Sequence, residues 1–399
     1  MNKRDLYLNK LLDFKDTKLI KVVTGIRRCG KSSLMELLKQ ELLTQGIEEE
    51  RIIHINFESL KFDFIKDYMS LYNFLEGKIV FGQKMYIMLD EIQQVESWEK
   101  AVNSLSVDYD VDLYITGSNG YLLSSELATL LSGRYVEIKM LPLSFKEYLE
   151  FNSAEQNQTM ETKFKEFMRV GGFPTLSEIE GKQEVVDSFL YGIYNTVIMK
   201  DVIQRNVVKD AALLEVLVKY VFDNVGNITS PKKISDYLNN ERRKTTSETI
   251  DNYLKMLENA FIIYNVKRYD VKGKQHLKTL EKYYPVDPGL RNTILGNRDY
   301  NYGHALEGVL FLEMLRRYPE VSIGKWKENE IDFVVQSSEE RIYYQVAASV
   351  AEEKTLRREL LPLQAINDNY KKVILTLDRM PVKYYEGIEI VNILDWLIS

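Results

Sequence analysis

The residues best suited to chemistry form a glycine-rich stretch near the amino terminus, GIRRCGKSS at 25–33. The pattern G-x-x-x-x-G-K-[ST] is met there by Gly25, Gly30, Lys31 and Ser32. In such a loop the backbone N–H groups point at phosphates, the lysine reaches the β- and γ-phosphates, and the serine hydroxyl is a ligand of Mg²⁺. We assign Ser33, at the same helix start, as a further nucleotide contact. The stretch predicts a site for ATP and Mg²⁺.

An acidic pair follows a second apolar stretch, YIMLDE at 86–91. Four apolar residues predict a buried strand, with Asp90 emerging at its carboxyl end. We expect Asp90 to hold the Mg²⁺ shell and Glu91 to polarise the attacking water, which predicts hydrolysis and not binding alone. Two acidic residues that merely cap a strand end are the alternative.

Two further positions are weaker candidates. YITGSN at 114–119 predicts another buried strand, after which Ser118 or Asn119 is placed to hydrogen-bond the γ-phosphate or the lytic water. An ordinary strand-to-turn junction has the same pattern. Arg134, in SGRY, is a candidate to stabilise charge on a neighbouring subunit's nucleotide, although exposed arginines are common.

These residues need a sheet to position them. Short β-branched runs alternate with helical patterns along residues 18–140; the runs are KLIKVVTG, RIIHINFE, MYIMLDE, VDLYITGS and RYVEIKM. This alternation predicts a parallel sheet with helices on both faces, an α/β domain over 1–150. A helical, polar pattern with a Gly-Pro break at MRVGGFP predicts a helical lid or connector over 151–222.

Residues 223–302 predict a winged helix-turn-helix. Two helical patterns, SPKKISDYLNN and TTSETIDNYLKMLENA, precede a hairpin, and Ser/Thr residues followed by Glu248 suggest a capping box at the second helix. From 303 to 399 the pattern runs helix, strands, helix, strand, which predicts a C-terminal α/β domain.

The charge distribution bears on partners. The net charge of −6 argues against a chain that coats nucleic acid over its whole surface, yet Glu241 to Lys282 carry ten Lys/Arg against six Asp/Glu. In a winged helix the second helix enters the major groove and the hairpin lies on the backbone. The predicted DNA contacts are Arg242, Arg243, Lys244, Lys267, Arg268, Lys272 and Lys274. A protein interface or a solvated charged surface would carry the same residues.

Cysteine usage and hydropathy limit the remaining classes. Cys29 is the only cysteine, which excludes an intrachain disulfide and a cysteine zinc cluster. The amino terminus carries basic residues but no apolar signal segment, and no uncharged apolar stretch approaches the roughly 20 residues of a membrane helix. We expect a cytoplasmic protein with no membrane partner.

The order of these motifs resembles the AAA-type ATPases of bacteria and archaea that carry a DUF4143 C-terminal region. The similar segments include GIRRCGKSSLM, LDEIQQVESWEKAV, TGSNGYLLSSELATLLSGR, LPLSFKEYL, DVIQRN and KYYPVDPGLRN. The resemblance implies a P-loop core of the additional-strand type, Ser118 as the γ-phosphate sensor and Arg134 as an arginine-finger-like residue. It also implies a homo-oligomer, for which a ring such as a hexamer is the expected form.

The C-terminal part also looks like the restriction-endonuclease fold of the PD-(D/E)xK class. Glu307, Asp332 and Gln345 follow the order of its metal-gathering residues, but Ala347 stands where the lysine is expected. Lys354 or Arg357 on the next helix would have to supply the missing amine. Because phosphodiester hydrolysis needs a positive group at the developing charge, we interpret this as a degenerate, nuclease-like domain.

These observations favour an Mg²⁺-dependent ATPase that couples hydrolysis to binding or remodelling of DNA, with branched DNA as one target. A nucleotide-dependent switch that acts on a protein partner is the alternative hypothesis. An ATP-dependent nuclease is the third.

Overall fold

A computed structural model describes residues 3–118, 131, 133–153, 158–179, 182–206, 208–273, 275–296, 302–338 and 340–399, with the backbone alone at 275–279. The chain divides into two compact units. The first runs to Pro142 and includes the short segment Asn259–Phe261, and the second comprises Leu143–Glu258 and Ile262–Ser399.

The first unit contains a parallel sheet. Its strands are β1 (Ile20–Thr24), β2 (Ile52–Asn56), β3 (Met85–Asp90), β4 (Val111–Gly117) and β5 (Tyr135–Lys139). They are ordered β2-β3-β4-β1-β5, and every pair is parallel. β4 therefore lies between β1 and β3, which confirms the predicted sheet and its additional strand.

Helices follow the strands of this unit as the sequence predicts, after a first helix that precedes β1 and was not predicted. They are α1 (Asp5–Asp13), α2 (Lys31–Thr44), α3 (Tyr68–Glu76) and α4 (Trp98–Asp108). Every residue of β1 and β3 is buried, as expected of central parallel strands covered on both faces. The carboxyl ends of these strands carry the predicted nucleotide residues.

The second unit begins with helices. They are α5 (Phe145–Phe151), α6 (Met160–Val170), α7 (Gln183–Thr196), a π-helical segment (Val197–Ile203), α8 (Ala211–Asp223), α9 (Pro231–Asn240) and α10 (Ser247–Asn259). After the hairpin described next comes α11 (Pro288–Leu295). The Asp287 carboxylate caps α11 through the N–H of Leu290 at 2.8 Å and also accepts the N–H of Gly172 at 2.7 Å. A Cβ at Gly289 would lie 2.0 Å from the Val170 carbonyl oxygen, so the two glycine-containing turns interlock.

Helices α9 and α10 form the expected pair before a hairpin of β6 (Ile263–Asp270) and β7 (Gln275–Pro285). Ser230 caps α9 at the N–H of Lys233. At α10 the cap differs from the prediction: Thr246 Oγ1 accepts the N–H of Thr249 at 3.2 Å. Glu248 is thus one position too early for the predicted capping box.

The remaining elements complete an eight-stranded mixed sheet. They are α12 (Tyr302–Arg317), β8 (Glu320–Trp326), β9 (Asn329–Gln336), β10 (Arg341–Ala347), α13 (Glu353–Gln364), β11 (Lys371–Thr376), β12 (Tyr384–Tyr385), β13 (Ile388–Asn392) and α14 (Ile393–Ile398). The strand order is β12-β13-β11-β10-β9-β8-β6-β7.

The β6–β7 hairpin is therefore part of the C-terminal sheet. Arg268 and Asp270 of β6 pair in parallel with Ile323 and Lys325 of β8. The sheet thus includes strands on both sides of residues 302 and 303, and the two compact units divide after Pro142. The four-domain division itself stays a prediction. In the described ranges, no helix combines the length and apolar character needed to cross a bilayer.

Candidate functional site

The loop after β1 has the backbone of a tight phosphate-binding turn. Gly25 has φ +150°, and a Cβ there would lie 2.1 Å from the Met140 carbonyl oxygen, so only glycine fits. Gly30, with φ +105°, is the residue before α2, and Arg28 also has a left-handed φ of +63°. These turns bring the loop back onto the amino end of α2, where unpaired N–H groups and the helix dipole favour an anion.

Lys31 lies inside this loop. Its side chain is 4% exposed, and its Nζ donates to the carbonyl oxygens of Gly25 at 3.0 Å and Ile26 at 3.2 Å. The same Nζ lies 3.7 Å from Glu91 Oε1. The P-loop lysine and the predicted catalytic carboxylate are thus in one site. The neighbouring Cys29 thiol is buried, which raises its pKa.

Asp90 is fully buried at the carboxyl end of β3. Its carboxylate accepts hydrogen bonds from the Thr116 hydroxyl and from Asn56 Nδ2, the latter at 2.9 Å. Asn56 stands opposite Asp90 in the β2–β3 register. The sequence analysis did not single out Asn56 or Thr116. Each of these two polar residues lies at or next to the end of an apolar strand, and this is the sequence pattern by which they could have been found.

Glu91 lies just beyond the strand with φ +55°, a conformation that costs a non-glycine residue on the order of 1 kcal/mol and is concentrated at functional sites. Its N–H donates to Thr116 Oγ1 at 3.0 Å. Its Oε2 accepts from Ser118 Oγ at 3.2 Å and from Gln93 Nε2. Ser118 therefore contacts the carboxylate, while Asn119 lies outside the described residues.

The donor chemistry fits Mg²⁺. Mg²⁺ prefers oxygen ligands and keeps several waters and substrate phosphates, so it needs few protein groups. Ser32 is exposed at the first turn of α2, and Asp90 is buried at the carboxyl end of β3 in the same unit.

Arg4, the residue before α1, holds the phosphate-binding loop through hydrogen bonds to backbone carbonyl oxygens. Arg4 is buried, and its guanidinium donates to the carbonyl oxygens of Cys29 at 2.9 Å, Leu141 at 3.0 Å and Pro142 at 3.3 Å. Nothing in the local sequence marks this arginine, because its partners are 25 and more residues away.

Arg134 lies away from the glycine-rich loop of the same chain. It is exposed and precedes β5, where its carbonyl oxygen accepts the N–H of Ile20 at the start of β1. The loop GIRRCGKSS follows the other end of β1. Parallel strands of five residues span roughly 16 Å, so Arg134 lies at the opposite edge of the sheet.

The predicted DNA contacts fall into two places. Arg242, Arg243 and Lys244 are exposed in the turn between α9 and α10. Lys267 and Lys272 are exposed on the hairpin, whereas Arg268 is half-buried and Lys274 lies outside the described residues. The surface of α10 itself adds little positive charge, because Lys255 pairs with Asp251 at 2.6 Å.

The nuclease-like residues meet in the second unit, together with a lysine that the sequence analysis did not assign to them. Asp332 accepts the N–H of Val346 at 2.8 Å, and the Asp332 N–H donates to Gln345 Oε1 at 3.4 Å. Glu307 forms an ion pair with Lys282 of β7 at 2.9 Å. Desolvation and the Glu307 carboxylate raise the pKa of Asp332 to about 8. Lys354 and Arg357, proposed as substitutes for the missing amine, are exposed, and Arg357 pairs with Glu353.

The sheet order and the glycine-rich loop of the first unit define the fold of a P-loop ATPase core. Residues 17–149 match the family described as an AAA domain. The Walker-type ATPase PABY2304 of Pyrococcus abyssi has the same fold over 74% of this chain and 96% of its own, with a TM-score of 0.53 and 15% identity.

The chain belongs to one sequence family with two relatives that it matches over most of their length. An uncharacterized protein of Haemophilus influenzae is 42% identical over 100% of this chain and 99% of its own. The uncharacterized protein MJ1544 of Methanocaldococcus jannaschii is 31% identical over 79% and 72%. Residues 161–301 match a domain of unknown function, DUF8612, so the predicted DUF4143 resemblance is not confirmed.

Proposed function

We propose that this chain hydrolyses ATP with Mg²⁺ and couples the hydrolysis to binding or remodelling of DNA. The observation that carries the first half is the convergence of Lys31, Glu91 and Ser118 at the carboxyl edge of the parallel sheet, with contacts of 3.7 Å and 3.2 Å around one carboxylate. A phosphate-binding lysine and an oriented base in one site are what phosphoryl transfer to water requires.

Each side chain then has a defined task. Lys31 stabilises the charge on the β- and γ-phosphates, and Glu91 accepts the proton of the attacking water at its carboxylate. Ser118 and Gln93 orient that carboxylate. Ser32 and Asp90 hold Mg²⁺, which when bound neutralises charge on the phosphate oxygens. The hydrogen bonds of Lys31 to the loop carbonyls fix the conformation of the loop around the lysine.

Two variants test this site. Lys31→Ala should abolish binding of a fluorescent ATP analogue, whereas Glu91→Gln should keep binding and lose roughly 10²- to 10⁴-fold in phosphate release. Lys39→Ala is the matched control, since this lysine lies on the same helix and pairs with Glu49 outside the site. Unchanged turnover in either site variant would remove the assignment.

Support for DNA contact comes from the exposed cations of the α9–α10 turn, Arg242, Arg243 and Lys244. Adjacent cations that project from a helix-turn-helix neutralise phosphates and give salt-sensitive binding without reading sequence. The acidic residues of α10 argue for backbone contact rather than deep insertion of this helix into a groove.

The coupling is tested by ATPase assays with single-stranded, duplex and junction DNA. We expect DNA to stimulate phosphate release at low salt, with the stimulation falling steeply as salt rises. The triple variant Arg242→Glu, Arg243→Glu, Lys244→Glu should lose this stimulation. Lys354→Glu, a charge reversal at an exposed position of α13, should keep it. Turnover that ignores every DNA tested would reject the coupling while leaving the ATPase intact.

One observation favours the second candidate, a nucleotide-dependent switch for a protein partner. The 57–66 segment after β2 exposes Leu60 (88%) and Phe64 (62%). Its backbone is tied to the nucleotide site, since Phe57 N–H donates to the Asp90 carbonyl oxygen at 3.0 Å and Glu58 pairs with Arg27 of the phosphate loop at 3.4 Å. A change at the nucleotide therefore reaches exposed apolar side chains directly, and such side chains suit an apolar segment of another protein.

Crosslinking in cells tests the switch. With p-benzoylphenylalanine replacing Phe64, we expect an adduct with a different protein in the ATP-trapping Glu91→Gln background and none in the Lys31→Ala background. The same probe at Val107, equally exposed on α4, is the control. Equal adducts in both backgrounds, or adducts with this chain alone, would contradict the switch.

A further inference from the structure

An acidic centre lies in the C-terminal sheet, where the nuclease-like residues meet. Its carboxylates come from Glu307 on α12, Glu330 and Asp332 on β9 and Glu359 on α13. In a nuclease of this topology such carboxylates hold a divalent cation, so their partners decide whether a cation has room here.

Lys282 is at the middle of this centre. It comes from β7, the hairpin strand, and its side chain is 3% exposed. Its Nζ lies 2.9 Å from Glu307 Oε1 and 2.8 Å from Glu330 Oε1. One ammonium thus bridges two carboxylates from two different elements.

Further protein donors contact these carboxylates. Tyr284, two residues along β7 from Lys282, donates its hydroxyl to Glu307 at 2.6 Å. Asp332 accepts the Val346 N–H at 2.8 Å, and Glu359 accepts from Gln345 Nε2 at 3.0 Å and from Arg358 at 2.7 Å. Each of the four carboxylates therefore has a protein donor.

A divalent cation does not fit this arrangement. A metal needs carboxylate oxygens that converge on a free position, whereas here the Lys282 ammonium takes the position between Glu307 and Glu330. The described residues include no His, Cys, Asp or Glu cluster suited to a metal. Lys282 is also too deeply buried to meet a phosphodiester while it bridges Glu307 and Glu330.

We infer that Lys282 supplies, from inside the protein, the positive charge that a divalent cation supplies in nuclease chemistry. The centre is a closed ionic latch that fastens β7 to α12 and β9, and it binds no divalent cation and cleaves no phosphodiester. This inference does not depend on the ATPase proposal, because all of its residues lie in the second unit.

The first test measures Mn²⁺ binding by electron paramagnetic resonance on the full chain without nucleotide. Asp90→Ala is introduced throughout, so that the proposed magnesium carboxylate of the first unit does not contribute. We expect the same isotherm with and without Asp332→Asn, and no Mn²⁺-dependent cleavage of plasmid or junction DNA. A Mn²⁺ site or a cleavage activity that Asp332→Asn removes would overturn the inference.

The second test removes the internal charge. Lys282→Met leaves two carboxylates without their cation and should lower the melting temperature by about 5 °C or more. Millimolar Mn²⁺ should then restore part of the loss, and Glu307→Gln in the same chain should abolish that rescue. Lys282→Arg keeps the charge and should show no Mn²⁺ effect, as should Leu361→Ser on the exposed face of α13.

Mn²⁺ stabilisation that is equal in the wild type and Lys282→Met would contradict the latch. If Lys282→Met does not fold, the wild-type isotherm and its Asp332→Asn comparison decide the question alone.

Discussion

At the scale of single residues, Arg4 helps to hold the phosphate loop in its conformation. A loop of glycines and charged residues has many conformations, and ordering each residue costs roughly 1–2 kcal/mol. The Arg4 guanidinium donates hydrogen bonds to three carbonyl oxygens, and one of them, that of Cys29, lies within the loop. Because the Cys29 carbonyl oxygen points at Arg4, the backbone N–H groups of the loop are left to point toward the phosphate position.

We therefore predict that Arg4→Met weakens binding of a non-hydrolysable ATP analogue by about tenfold or more, since hydrogen bonds to a charged donor contribute about 1.5–3 kcal/mol. Isothermal titration calorimetry gives the Kd. Asp5→Asn, one residue along and exposed, should leave it unchanged. A lower melting temperature with an unaltered Kd would mean that Arg4 stabilises the fold only.

The same contacts show which site residues a sequence can predict. Gly25 through Ser32 are contiguous, so their spacing alone predicts a phosphate loop. Asn56 and Thr116 reach Asp90 from other strands, and Lys282 reaches Glu307 from a hairpin 25 residues away. Those partners depend on which strands become neighbours, and no local pattern contains that information.

At the scale of elements, α10 and β7 bring two carboxylates together. Glu258, near the end of α10, lies close to Glu281 of β7, whose Oε2 accepts from Asn265 at 2.6 Å and Tyr283 at 2.9 Å. Desolvation and the Glu281 charge raise the pKa of Glu258 to about 7, with Asp251 adding to the rise and Lys255 opposing it. The folded protein therefore binds this proton more tightly than the unfolded chain, whose Glu258 has a pKa of 4.5.

The sign of the pH dependence follows. A raised carboxyl pKa contributes stability at low pH that is lost as pH rises from about 4.5 through 7, because the fold must then bury the charge. We predict that Glu258→Gln raises the free energy of unfolding by about 2 kcal/mol at pH 8 and by little at pH 4.5.

Denaturant unfolding of both proteins between pH 4.5 and 8 measures this difference, with the exposed Glu248→Gln on the same helix as control. A difference that is constant with pH would mean that Glu258 does not titrate in this range.

The elements also show where prediction of the fold stopped. The five strands of the first sheet and the helix pair with its hairpin were predicted, because each has a clear hydrophobic period. The pairing of β6 with β8 was not predicted, since paired residues such as Arg268 and Ile323 are 55 positions apart and leave no local signal. Moving the hairpin into the larger sheet changes its role, because a strand inside a sheet cannot move as a free wing does.

At the scale of the whole molecule, the position of Arg134 bears on whether the proposed ATPase site needs a residue from a second copy of the chain. Lys31, Asp90 and Glu91 lie at the carboxyl edge of the parallel sheet, and Arg134 is exposed at the amino edge. A strand length between them is farther than an arginine side chain reaches. If Arg134 stabilises a transferring phosphoryl group, that nucleotide belongs to a neighbouring copy.

Complementation between two defective chains tests this directly. Arg134→Ala should lower turnover by 10²-fold or more, in keeping with the roughly 10³- to 10⁵-fold contribution of an arginine supplied in trans, while leaving ATP affinity nearly unchanged. Lys31→Ala has no working site but keeps its arginine. Mixed together, the two should recover activity that neither has alone, because intact sites of the first chain then face Arg134 of the second. Recovery should rise and fall with the mixing ratio.

The control is Arg317→Ala, a variant in the second unit. Mixed with Lys31→Ala, it should show only the activity expected from dilution. A mixture no more active than its parts, or an Arg134→Ala chain that loses ATP affinity in step with turnover, would assign Arg134 to its own subunit or to no catalytic task.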